Sequence, residues 1–261
     1  MAPPRSVIHF NFLPGPLVFD ARPIWSALNK TVESGKLSPQ TAEKIHTELD
    51  QTALYLGMRH HLMRRTLTEL RRAELEIERL MRDVGTVPAG RAGRAVTGEH
   101  WDELRDHLLL MTDSFLFEFR SFLELLAAFV YEVLTALNKA PASVEHLSSG
   151  DTVAIVSKKG ELLPNSFLLY LCDRLGFDTS WYRFLNEHRN FFTHEAAPYC
   201  AIEDLMVEPS KFEIIIMKAN IIDFDTADAK DYFRLSDLHE VTYGLRDLSS
   251  AAQHYLVRVL G

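Results

Sequence analysis

Cysteine is almost missing from this chain: Cys172 and Cys200 are the only two in 261 residues. They form no CxxC pair, and two thiols cannot build a disulfide framework. That excludes a small disulfide-stapled scaffold and leaves both as reduced thiols of a reducing compartment. An uncharged apolar run is missing too. The greasiest stretch, Phe115 to Leu137, carries Glu118, Arg120, Glu124 and Glu132, a charge load that a membrane span of that length does not tolerate. The opening residues Met1-Ala2-Pro3-Pro4-Arg5 lack the apolar segment of a signal peptide, and Pro14, Gly15 and Pro16 break the short apolar run behind them. The expectation is a cytoplasmic protein with no membrane partner.

Positive charge is not in excess. The net charge is -8, so any nucleic-acid contact has to come from a local basic patch and not from the global field. The signatures of common nucleotide and hydrolase sites are absent: no P-loop GxxxxGK, no GxGxxG, no GxSxG. Gly90-Arg91-Ala92-Gly93 follows no strand and is not a phosphate loop. There is no HExxH, no clustered Asp/Glu set and no Cys/His quartet, so the sequence calls for no metal and no cofactor.

What is present is helix. Apolar residues make up 47% of the chain, enough for a sizeable core. Residues 1 to about 22 are rich in Pro and Phe and read as an extended arm, after which Pro23 opens a short helix ending near Gly35. Ser38-Pro39 is a strong helix start, with Ser as N-cap and Pro at the first helical position. From there to about Asp83 the only breaker is Gly57, which predicts one long helix or two with a bend at that glycine. Residues 84–98 read as a loop. A second long helix is predicted over Glu99–Asn138, its second half apolar nearly all round, the mark of a central buried helix. Another loop runs to about Asp151, and shorter helices follow at Asn165–Leu175 and Thr179–Glu195, the latter stopped by Pro198. Lys211-Phe212-Glu213-Ile214-Ile215-Ile216-Met217 is the best strand, with Ala201–Met206 and Tyr232–Leu235 as weaker partners, and a last helix covers Leu238–Val259. The fold class is mainly α: an antiparallel bundle with two long helices and a small β-insert at about 200–236 before the last helix. Residues 1–37 form an arm with its short helix, and 38–261 form the helical domain.

One stretch points to chemistry, Arg189-Asn190-Phe191-Phe192-Thr193-His194. At roughly 100° per residue, Trp181, Phe184, Leu185, His188, Phe191 and Phe192 fall on one side of a helix, and Arg183, Glu187, Asn190 and His194 on the other. Asn190 and His194 are i,i+4 neighbours, with the long Arg189 side chain on the flank. A guanidinium, a carboxamide and an imidazole together can bind a phosphodiester, orient a nucleophile and move a proton.

Arg189-Asn190-x-x-x-His194 on a late helix of a helical bundle resembles the HEPN superfamily, small helical domains of which many are ribonucleases of toxin, antiphage and RNA-processing systems. The resemblance spans the chain from about residue 38 as architecture, and its sequence signal is the six-residue motif. Bare Arg-to-His spacing also occurs at Arg94 to His100 and Arg183 to His188, but only Arg189 is followed by Asn. The resemblance implies metal-independent endoribonuclease activity, in which the ribose 2′-OH attacks the adjacent phosphorus and leaves a cyclic phosphate and a 5′-OH. His194 would be the general acid or base, Arg189 the phosphate clamp, and Asn190 the group that holds the His tautomer or donates to a phosphate oxygen. It also implies a homodimer with two motif helices across a two-fold axis, and a toxin-like role with an antitoxin protein as partner. Some family members carry a Tyr two residues after the His that a partner enzyme modifies; here that position is Ala196, and the nearest tyrosine is Tyr199.

Two further groups are candidates. Glu118 interrupts the apolar helix beside Phe115, Phe119 and Phe122, and a carboxylate there needs a partner. It either positions Arg189 or His194 or forms a structural ion pair. Arg120 and Glu124 read as an i,i+4 pair. Arg59, His60, His61, Arg64, Arg65, Arg71 and Arg72 are the densest basic stretch. They read either as an RNA contact, through Arg59, Arg64 and Arg65, or as a solvated face paired to Glu69, Glu74, Glu76 and Glu78. Nothing points to DNA specificity. The competing functional readings are a non-catalytic module of the same fold that binds RNA or a protein partner, and an unrelated helical scaffold.

Overall fold

A computed structural model describes residues 19–84, 98–141, 167–179, 188–192, 198–204, 212–218 and 232–261. The described residues are mainly helical, with one three-stranded sheet. The elements in chain order are α1 (Arg22–Glu33), α2 (Pro39–Val84), α3 (Glu99–Ala136), α4 (Phe167–Leu175), β1 (Pro198–Asp204), β2 (Phe212–Lys218), β3 (Tyr232–Arg234) and α5 (Leu235–Leu260). Residues 188–192 are also helical. The predicted loops at 84–98 and beyond Asn138 fall largely outside the described residues.

α2 is one helix of 46 residues. Ser38 starts it as the sequence predicts: its Oγ accepts the Thr41 backbone N–H at 3.1 Å, satisfying one of the orphan donors of the first turn. There is no break at Gly57, which is buried in the middle of the helix. The reason is the seam around it. Ala42, Leu49, Leu56, Met63, Leu70 and Ile77 recur every seventh residue, and Ala53, His60, Leu67, Glu74 and Met81 recur at the same interval beside them, all of them buried. A stripe of that period packs along a neighbouring helix, and that packing outweighs the helix cost of a single glycine.

The neighbour is α3, 38 residues long. The two run antiparallel, as cross-helix partners show. Glu76 meets His100 at 3.4 Å, Arg59 meets Glu118 at 2.8 Å, and the His60 and Phe122 rings lie 6.1 Å apart. The start of α3 thus meets the end of α2, and the middle of α3 meets the middle of α2. Further along, Trp25 of α1 bridges the pair, against His46 of α2 and Phe129 of α3. From Phe115 to Leu134, α3 is buried on most sides, as its all-round apolarity predicts. It ends at Ala136, two residues before the expected Asn138, which takes a left-handed φ of 55°.

α1 packs into the same core through Ile24, Ala27 and Leu28, and Phe19 before it stacks edge-on against Phe129. Its end closes on the end of α5. Thr31 Oγ donates to the Leu260 carbonyl, Lys36 Nζ to the Gly261 carbonyl at 2.7 Å, and Lys139 Nζ to the Val259 carbonyl at 2.7 Å. Carbonyls left over at a helix C-terminus thus meet donors, two of them cationic.

The sheet is antiparallel with order β1-β2-β3. β2 is central and apolar on both faces: Phe212, Ile214 and Ile216 join the main core, and Ile215 and Met217 are buried as well. That two-sided burial explains the apolar run Ile214–Met217. β1 begins at Pro198, three residues before the expected Ala201, so the proline that was read as a helix stop is the first residue of a strand. Its place at the start of an edge strand fits a residue with no N–H to offer a ladder. The last helix starts at Leu235 and ends at Leu260, slightly longer than predicted. The Arg234 backbone N–H donates to the Asp237 carboxylate at 2.8 Å across its first turn.

Candidate functional site

The segment 188–192 carries the first two members of the motif. His188 is fully buried, its ring edge-on to Phe233 at 5.1 Å and to Phe192 at 6.0 Å. Phe191 is also buried and packs edge-on to Phe192. These contacts fix the rotation of the segment: position 188 turns into an aromatic nest whose wall is β3. This places His188 in the core, as its helix phase implies, and rules it out as a solvent-facing acid or base. Trp181, Arg183, Phe184, Leu185, Glu187 and His194 lie outside the described residues.

Arg189 and Asn190 are both half-buried. Arg189 Nη1 donates to Asn190 Oδ1 at 3.2 Å. The bond ties the guanidinium to its neighbour's carboxamide. An amide whose oxygen is engaged in this way turns its NH₂ donors elsewhere. A pre-positioned guanidinium beside an amide NH₂ is a donor set suited to a phosphate oxygen. The adjacency of Arg and Asn in the motif thus corresponds to a direct contact.

Glu118 takes Arg59 as its ion-pair partner. Nη1 of Arg59 donates to both carboxylate oxygens, at 2.9 Å and 2.8 Å, and the Glu118 side chain is only 13% exposed. The Arg59 guanidinium also lies 5.5 Å from the centroid of the Phe117 ring. Of the two roles open to Glu118, this geometry supplies the structural ion pair, and it turns Arg59 toward α3. Arg120 and Glu124 pair at 2.7 Å as their spacing predicts.

The remaining basic residues of α2 split into two sets. Arg71 pairs with Glu74 and approaches Glu78, Arg72 pairs with Glu69, and Arg79 pairs with Glu76. These are the carboxylates the sequence offered for a solvated face. Arg64 and Arg65 are exposed and have no ion pair among the described residues. Arg64 also lines a cleft of about 570 Å³ between α2 and α5, with His60, Leu67, Thr68, Arg71 and Arg72 on one wall and His239, Thr242, Tyr243 and Arg246 on the other. The α5 wall was not singled out in the sequence. Its signal is the i, i+3, i+4, i+7 spacing of polar residues on the last helix. His60 forms the floor. It is 4% exposed, and burial first, then the Arg64, His61 and Arg246 charges, push its imidazole down to about 4.

Tyr199 is an exposed residue of β1. Cys172 and Cys200 are free, and burial pushes both thiols up to about 12, so neither is a nucleophile at neutral pH. Among the described residues no group of His, Cys, Asp and Glu is arranged to hold a metal ion, and no helix is long and apolar enough to cross a membrane. No family model, no curated protein and no solved structure matches this chain.

Proposed function

We propose that this chain is a metal-independent endoribonuclease of the HEPN type, working as a two-fold homodimer. The observation that carries the reading is the hydrogen bond from Arg189 Nη1 to Asn190 Oδ1 on a segment whose adjoining residues are locked into an aromatic core. A buried, rotationally fixed support is what a positioned donor pair needs. His194, four residues after Asn190, completes the set by sequence spacing.

In the proposed reaction the imidazole of one His194 takes the proton of a ribose 2′-OH. The 2′ oxygen then attacks the adjacent phosphorus, and the bond from phosphorus to the 5′ oxygen breaks. The departing oxygen takes a proton from the second His194 of the dimer. The products are a 2′,3′-cyclic phosphate and a 5′-OH. Arg189 binds the equatorial phosphate oxygens as charge builds on them, and the Asn190 NH₂ donates beside it. An activity of this kind fits a toxin or antiphage role held in check by an antitoxin protein.

The test is incubation of the full chain with structured RNA in EDTA, with the 3′ ends analysed for cyclic phosphate. His194→Ala is expected to lower the rate by about 10²–10⁴, the usual worth of a general acid–base group. Arg189→Ala is expected to lower it by a similar order. Cleavage that survives His194→Ala undiminished overturns the proposal. RNA retention with no cleavage by the wild-type chain favours the non-catalytic module instead.

A further inference from the structure

The cleft between α2 and α5 is unusual in its lining. His60, Arg64, Leu67, Thr68, Arg71 and Arg72 form one continuous stripe of α2 at three- and four-residue intervals, and His239, Thr242, Tyr243 and Arg246 form the facing stripe of α5. Four guanidinium groups and no carboxylate line it among the described residues. Carboxylates hold three of these arginines from outside the lining: Glu74 holds Arg71, Glu69 holds Arg72 and Asp247 holds Arg246. Those arginines keep half or more of their side-chain surface exposed. A guanidinium has five N–H donors, so one carboxylate partner fixes its direction without exhausting it. Arg64, with no ion pair among the described residues, adds a charge that no carboxylate there compensates.

The dimensions select among anions. Arg64 and Arg72 are two turns apart on one helix, about 12 Å along its axis. Spread over that length, the four guanidinium groups offer more donors than one phosphate can use, and two or three linked phosphates with a further group match them. Tyr243 offers that group a surface: its ring is 53% exposed, with the Arg246 guanidinium 5.4 Å from its centroid. Arg stacked on an aromatic ring is a platform on which a planar base can stack. The Thr68 and Thr242 hydroxyls donate to the Arg64 and Leu238 carbonyls, at 2.9 Å and 2.8 Å, and their oxygens keep lone pairs that a ribose hydroxyl can donate to. The volume, about 570 Å³, is that of a small-molecule site.

We propose that this cleft binds a nucleoside di- or triphosphate, with its phosphates on Arg64, Arg71, Arg72 and Arg246 and its base on Tyr243. The site is separate from Arg189 and Asn190, and its occupancy is read by binding alone, so it stands or falls independently of the nuclease proposal.

The experiment titrates the full chain against a fluorescent ADP analogue, with inorganic pyrophosphate as competitor. Saturable binding displaced by pyrophosphate is expected, weakening steeply between about 50 and 200 mM salt. Arg64→Ala and Arg246→Ala should each weaken binding about ten-fold, the loss of one charge-assisted contact. Arg65→Ala, on the same helix but outside the lining, should leave it unchanged. Tyr243→Ala should weaken the ADP analogue and spare pyrophosphate. All four positions are exposed or half-exposed, and circular dichroism verifies that the variants fold. The proposal is overturned by absence of saturable binding, by Arg65→Ala weakening it as much as Arg64→Ala, or by Tyr243→Ala leaving the analogue's affinity intact. It is equally overturned if a single-stranded oligoribonucleotide displaces the analogue at far lower concentration than ADP does, which would make the cleft a strand track.

Discussion

Acid should destabilise this protein through one histidine. His60 sits on the α2 seam where the heptad spacing demands an apolar residue, and it is 4% exposed. The Phe122 ring faces it from α3. Arg64 and His61 on its own helix and Arg246 on α5 add positive charge around it. Burial and those charges disfavour imidazolium, and the group titrates at about 4 in the fold against 6.5 ordinarily. The unfolded chain therefore takes up this proton first. Stability from this source is complete above about pH 6.5, is lost as pH falls toward 4, and changes no further below that, where both states are protonated. The difference of roughly 2.5 units corresponds to about 3 kcal/mol.

The assay is urea unfolding of wild type and His60→Leu at pH 7.5 and 4.5. Carboxylates titrate in the same window in both proteins, so the comparison isolates the imidazole. Leucine matches the seam residues Leu56 and Leu67 in kind and has nothing to protonate. The wild type should lose about 2.5 kcal/mol more than the variant between the two pH values, most of the full effect. Equal losses would refute the argument, as would an NMR titration placing His60 near its ordinary value. Either would mean that water reaches the ring through the cleft.

Two other outcomes follow from named contacts. Glu118→Gln should cost about 1–3 kcal/mol, between the range of surface pairs and that of buried ones, because Arg59 is a third exposed and Glu118 nearly buried; a double-mutant cycle with Arg59→Met should recover most of it as coupling, and RNA cleavage should be unaffected, whereas lost cleavage at unchanged stability would return Glu118 to the site. Ser38→Ala should cost about 1 kcal/mol in urea unfolding through loss of the α2 cap, and no change would show that the helix start is held by packing alone.

Local grammar carried the sequence reading of the fold. Ser38-Pro39 started α2 where expected, and the charges and apolar stripe of α3 placed it as the buried long helix. β2 was legible because its apolar run is bounded on both sides. What the sequence left open or placed a few residues off lies where two local rules compete. Pro198 ends helices and also opens edge strands, and only the pairing with Lys218 decides between them. Gly57 weakens a helix, and only the seam it lies in restores continuity. For the site, the phase of His188 was readable from the aromatics around it. The Arg189–Asn190 contact needed coordinates, because adjacent helical residues diverge by about 100° and meet only when a long side chain curls back. The partner of Glu118 lies 59 residues away, and the two walls of the cleft are farther apart still. Nothing in the local pattern tells one helix face which other face it will meet.

The two candidate regions rest on different supports, and this separates what each perturbation can reach. The motif segment is held by a small aromatic nest: His188 on Phe233, Phe233 paired with Ile216 of β2, and β2 buried on both faces. The cleft is held by the long α2–α3 hairpin and the middle of α5, with His60 and Leu67 rooted in the core seam. They meet where β3 ends at Arg234 and α5 begins at Leu235. Glu213 clamps that junction, taking Arg234 at 3.2 Å and accepting from the Ser236 hydroxyl at 2.6 Å. Arg189 and Arg64 lie on separate elements, and neither takes part in the Glu213 contacts at this junction. Loss of cleavage on altering Arg189 and loss of nucleotide affinity on altering Arg64 are therefore independent tests, and a single variant that abolished both would indicate a folding defect and not a shared site.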